Sequence, residues 1–254
     1  NLAKEFCDYV EGRAGLLIGR GSIGAKRIFT FPHRTFQEFL TACYVANIAP
    51  IEELAPDLAK RGAGWREVLL LATGYLVFVK NSTRVALYAI RSILDSLTFE
   101  SDTDWRAVWL AGEMLEKVGV DNALSPNTAN VGKQVIQQTK TLLVQLIEGG
   151  HLPPVERAGA GRILSQLGDP RPGVGTITVN GLTLPDIVWC HIPAGEFIMG
   201  SDDSRQDDEK PAHTLHLDDF YMSRYLVTYA QYQAFENAPD FGADAWWDGF
   251  PDDE

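Results

Sequence analysis

The strongest constraint on the fold is a change of hydrophobic period across one punctuated stretch, Leu167-Gly-Asp-Pro-Arg-Pro-Gly-Val-Gly175. Gly168 can adopt the left-handed conformation that ends a helix, and Pro170 and Pro172 block any continuation. Before this stretch apolar residues recur at helical spacing. After it, short β-prone runs alternate with Gly, Pro, Asn and Asp. The chain therefore reads as α+β and multidomain, mainly helical first and mainly stranded last.

In the first part, residues 51–60, 65–79, 83–97, 105–118, 133–148 and 154–167 read as helices, with loops at 61–64, 100–104, 122–132 and 149–154. Their lengths and short connections fit an α-helical repeat-like arm over residues 49–168, although no strict sequence repeat is present. Ahead of it, Leu2, Phe6, Tyr9 and Val10 have helical spacing, with Gly12 or Gly15 to end the helix. Residues 16–18 and 27–31 flank Gly21-Ser-Ile-Gly24 and read as a hairpin. Phe36, Phe39, Leu40, Cys43 and Val45–Ala46 then form one apolar helical stripe. Pro32 suits the start of that helix, and Thr35 with Glu38 has capping-box spacing. Helix, hairpin and helix together make a winged-helix-like unit over residues 1–48.

The last part, residues 169–254, opens on a small hairpin, 176–179 and 182–184, about Asn180-Gly181, a pair that favours a type I′ turn. Residues 187–192 and 196–199 are broken by Pro193-Ala-Gly195 and closed by Gly200-Ser201, which suggests antiparallel strands. Residues 213–217 and 221–227 read as two more. Thr228 stands at the N-cap position of a helix over 229–236.

A chain of 254 residues with 45% hydrophobic content, ordinary for a soluble globular protein, has room for one large domain or two to three small ones. No apolar run approaches the roughly 18 residues needed to span a bilayer, and residues 69–79, the most apolar, suit a core helix. The start, Asn1-Leu-Ala-Lys-Glu-Phe6, has neither an initiator Met nor a signal-peptide pattern, so the expectation is a chain that begins inside a longer, cytoplasmic protein. Residues 200–254 hold 14 of the 34 acidic side chains and 3 of the 22 basic ones, the wrong sign for a nucleic-acid footprint. That tail reads as a solvated surface, with cation binding or a basic partner as the sharper alternative. Cys7, Cys43 and Cys190 follow no recognisable pairing, which suits thiols in a reducing compartment.

Three ordered blocks carry a resemblance: Ile192-Pro-Ala-Gly-Glu-Phe-Ile-Met-Gly-Ser201, Glu209-Lys-Pro-Ala-His213, and Phe220-Tyr-Met-Ser-Arg-Tyr-Leu-Val-Thr228 with Gln231 and Phe235 after it. They resemble the start of the formylglycine-generating-enzyme (sulfatase-modifying factor) family, from about residue 186 onward. The resemblance implies a truncated C-type-lectin-like domain, with the family's copper-holding cysteine pair in a part this chain lacks. Cys190 matches neither of those cysteines. A second motif, Phe31-Pro-His-Arg-Thr-Phe-Gln-Glu-Phe-Leu40, is similar to the end of the winged-helix portion of NACHT-type signalling ATPases of the STAND class, and the likeness covers residues 1–78. It implies ADP or ATP as cofactor of the intact protein, an upstream nucleotide-binding domain as partner, and a His33 contact to the β-phosphate of ADP that holds a closed state. The alternative for His33 is an imidazole that only ties down its turn.

Other candidates carry less. Gly19-Arg-Gly-Ser-Ile-Gly24 joins strand to strand and no Gly-Lys-Ser/Thr follows it, so it is not a phosphate loop and the fragment should not hydrolyse ATP. His213 and His216 near Asp202, Asp203, Asp207, Asp208 and Glu209 invite a metal, but residues three apart on a strand face opposite sides, and no metal site is expected. Trp105 and Trp109 read as core packing, Trp246 and Trp247 as packing or a binding platform, and Glu156, Arg157, Arg162 and Asp169 as surface or capping charges. The expected function is the switch-and-sensor portion of a NACHT-type ATPase. Its lectin-like domain recognises a protein or other ligand, in bacterial defence or as a diversity-generating-retroelement target, with oligomerisation on activation and no nucleic-acid or membrane partner. The alternative is an oxygen-dependent formylglycine-generating-type oxidase with a helical accessory region. No catalytic residue is expected in the fragment itself.

Overall fold

The computed structural model describes residues 2–9, 17–23, 26–48, 50–203, 207–243 and 246–248. By contact density the chain divides into two units, Asn1–Gly168 and Asp169–Glu254. The first runs α1 (Leu2–Tyr9), β1 (Ile18–Ile23), β2 (Lys26–Thr30), α2 (Arg34–Ile48), α3 (Ile51–Ala59), α4 (Ala63–Gly74), a π-helical turn (Tyr75–Val79), α5 (Thr83–Asp95), α6 (Asp102–Val118), α7 (Val120–Ala123), α8 (Ala129–Glu148) and α9 (Pro154–Leu167). Gly12, Gly15 and residue 16, the expected end of the first helix and start of the hairpin, lie outside the described residues. No helix among the described residues is long and apolar enough to cross a membrane.

The first unit is built on α6. Ser101 caps it by accepting from the Asp104 amide at 3.4 Å, Asp102 and Asp104 sit in its first turn and Lys117 in its last, each at the end of the helix dipole that favours its charge. Trp105, Val108, Leu110, Met114, Leu115 and Val118 bury their side chains around most of the circumference. A helix apolar on so many sides must be surrounded, and α6 packs on α4, α5, α8 and α9. Trp105, read as core, stacks on His151 with ring centroids 4.0 Å apart. Trp109 lies against Gly159 of α9, where a Cβ would stand 2.5 Å from the indole Cζ2. Asp104 is buried under this layer. Burial pushes its carboxyl up, but the pair with Lys60 at 3.1 Å and the hydrogen bond from Thr98 at 3.1 Å outweigh that and hold it below the usual range.

Two expectations for α2 are corrected. The helix starts at Arg34, so Thr35 is already inside it. Glu38 accepts from Arg34 Nε at 2.7 Å and takes part in a side-chain pair, where the sequence reading had it in a capping box. The stripe Phe36, Phe39 and Leu40 is exposed, and the residues buried against α4 are Ala42 and Val45. α2 is apolar on both sides, and small Ala42 permits the closer helix approach. The strands β1 and β2 pair antiparallel as expected, but β1 runs on through Gly21, Ser22 and Ile23, which the sequence reading had in the turn, with a register shift between Gly19 and Ser22.

The second unit contains β3 (Thr176–Val179), β4 (Leu182–Pro185), β5 (Trp189–Ile192), β6 (Gly195–Met199), a 3₁₀ turn (Asp207–Glu209), β7 (His213–Leu217), β8 (Phe220–Ser223) and α10 (Tyr229–Glu236). Asn180 and Gly181 both have positive φ, 51° and 81°, as the type I′ turn of β3–β4 demands. The strands β5 and β6, expected to pair with each other, do not: β5 pairs with β8 and β6 with β7, all antiparallel. The last strand was expected to reach residue 227 but stops at Ser223. Its partner ends at Trp189, and the Arg224 amide donates to Val188 O at 2.8 Å as the final rung.

Candidate functional site

The three sequence blocks fold into one nested arrangement. Residues 189–192 lie along 220–223, and 195–199 lie along 213–217, so the first block runs beside the strand that the second block leads into, and the third block pairs mainly with the residues just before the first. A buried glutamine holds the start of this arrangement to the boundary stretch. Gln231 Nε2 donates to Gly173 O at 3.1 Å and to Asp186 O at 2.5 Å, and its Oε1 accepts from the Thr228 amide at 2.9 Å. Thr228 Oγ1 donates to Val174 O at 2.9 Å and accepts from the Gln231 amide, and Asp186 accepts from the Gly173 amide at 2.8 Å. Both amide hydrogens and the carbonyl of a side chain only 2% exposed are thereby satisfied. Sequence reasoning named Gln231 only as part of a motif. The Thr-x-x-Gln spacing that builds the capping box was the available signal.

The β5–β8 ribbon presents a mixed surface. His191 Nε2 lies 3.2 Å from Asp219 Oδ2, and its ring meets Tyr221 at 5.2 Å. Trp189, Tyr221, Met222, Leu226 and Val227 are exposed. Cys190 is half-buried opposite Met222. Such a surface offers stacking and apolar contact plus one polar pair, the makings of recognition.

His213 and His216 stand opposite Met199 and Glu196 on β6, and His213 Nδ1 lies 2.9 Å from Pro211 O. Asp202 accepts from the Ala212 amide at 3.0 Å and Asp207 pairs with Lys210 at 3.4 Å, so these carboxylates close the loop. No group of three His, Cys, Asp or Glu able to hold a metal occurs among the described residues. Trp247 donates to Phe241 O at 2.7 Å and packs edge-on against that ring, whereas Trp246 is exposed.

In the first unit, His33 is exposed just before α2, its ring 6.0 Å from that of Phe36. Glu156 pairs with Arg106 across α6 and α9 at 3.1 Å, Arg157 donates to the Gly150 and Leu152 carbonyls, and Asp169 pairs with Arg171 at 2.6 Å, while Arg162 is exposed. Glu156 and Arg157 fasten the first unit, and Asp169 does so at the start of the second.

Comparison with known proteins bears on the second unit. Residues 177–248 match the family model described as the sulfatase-modifying factor enzyme 1-like domain. The chain is 45% identical over 56 residues to the formylglycine-generating enzyme of Mus musculus, covering 21% of this chain and 15% of that protein. It is 43% identical over 67 residues to the formylglycine-generating enzyme of Bos taurus, covering 26% and 18%. The chain thus spans less than a fifth of the relatives it matches, and no solved structure matches it. Residues 177–248 carry a sulfatase-modifying factor enzyme 1-like domain.

Proposed function

We propose that the protein acts as a formylglycine-generating-type oxidase, converting a substrate cysteine to formylglycine with oxygen, and that the helical unit is an accessory region. The observation that carries this reading is the family match over residues 177–248, supported by two relatives of that name at 43% and 45% identity. The resemblance attaches a C-type-lectin-like fold and a copper-holding cysteine pair to that activity. The cysteines described here do not fit such a pair: Cys43 lies on α2 of the first unit, Cys190 on β5 of the second, and no metal-ligating group is present among the described residues. No step is therefore derived through copper. The role assigned to this chain's own residues is to present the exposed aromatic and apolar surface of β5–β8 to polypeptide, with Gln231 holding that ribbon's flanking segments in place. Incubating the intact protein with a cysteine-containing sulfatase-type peptide in air, followed by mass spectrometry, tests the reading. Replacement of the thiol by an aldehyde is expected, and an unmodified cysteine under conditions where a known formylglycine-generating enzyme is active refutes it.

A second reading, a NACHT-type switch joined to a ligand sensor, rests on one observation, the order α1, β1–β2 hairpin, α2 at the Phe31–Leu40 motif. In this reading an upstream nucleotide-binding domain holds ADP, His33 donates to its β-phosphate when that unit docks, and a ligand at the second unit biases the ADP/ATP state, with oligomerisation on activation. Co-purification of ADP with the intact protein, weakened in His33→Ala, is its expected signature. Equal retention by both proteins removes the His33 contact.

A further inference from the structure

We draw no further inference here: the strongest candidate, the exposed apolar stripe of Phe36, Phe39, Leu40 and Tyr44 along α2, carries none because nothing in the structure shows what covers it.

Discussion

At the scale of single residues, Glu113 on α6 couples stability to pH. It accepts from Arg66, whose guanidinium also meets Glu67 at 2.7 Å, and its second carboxylate oxygen is buried without a partner in the structure. Burial pushes its carboxyl above the usual range, with Glu67 and Glu116 adding to the rise and Arg66 offsetting only part of it. A free glutamate titrates near ~4.3. Between that value and the raised folded value the folded state holds the more protons, so stability falls as pH rises through this window. Glu113→Gln removes the group that titrates. Urea midpoints measured from pH 4 to 8 should show wild type losing ground to the variant as pH rises, and a constant difference across that range would refute the assignment. Asp104 works in the opposite sense: Lys60 and Thr98 lower its carboxyl against the pull of burial, so its contribution is present above ~3.9 and is lost as pH falls through the folded value. Neither polarity was legible in the sequence. Glu113 reads there as one more helix position, because its partner Arg66 is 47 residues away and only the packing of α4 on α6 brings them together.

At the scale of elements, local periodicity located most helices but misjudged several boundaries for one physical reason, that long-range partners overrule local signals. Residues 65–79 read as one helix, yet the structure starts α4 at Ala63 and ends it in a π-helical turn. For β8 the apolar run to residue 227 was visible, but the length of β5, which limits the ladder, was not. The helix over 133–148 was started late because Gly132 looked like loop punctuation. It lies inside α8, where a Cβ would stand 2.0 Å from the Ala123 carbonyl of α7, so glycine is present to let backbone meet backbone. In an open helix, glycine to alanine stabilises by ~0.5–1 kcal/mol, but an overfilled contact costs ~1–3 kcal/mol. Gly132→Ala should therefore lower stability by about 1–2 kcal/mol, whereas Gly74→Ala, at a helical position with nothing within 4 Å, should raise it by up to ~1 kcal/mol. Thermal or urea unfolding of the pair checks the opposite signs, and a gain at both positions removes the close-approach explanation.

At the scale of the whole molecule, the two units differ in how much apolar surface they remove from water. The continuous core runs from Ala42 to Leu167 and draws every member from the first unit. In the second, the described buried residues are Gly173, Val174, Gln231 and Ala234, while both faces of the β5–β8 and β6–β7 ribbons carry exposed apolar side chains such as Trp189, Ile198, Met199, Tyr221 and Met222. Two-stranded ribbons are at best marginally stable in water, since they bury too little to offset the entropy of ordering their residues. The boundary between these regimes was legible, because Gly168, Pro170 and Pro172 announce it locally. The poverty of the second core was not, since its apolar content looks ordinary and only the strand pairing shows which faces stay open. The consequence is measurable. A chain ending at Gly168 should retain a single cooperative thermal transition close to that of the full chain, because α6 and all the helices packed around it are kept. Residues 169–254 alone should show no cooperative transition and should bind a dye specific for exposed apolar surface. Loss of the transition in the shorter chain, or a sharp independent transition in 169–254, would mean that the burial pattern misidentifies where the fold's stability resides.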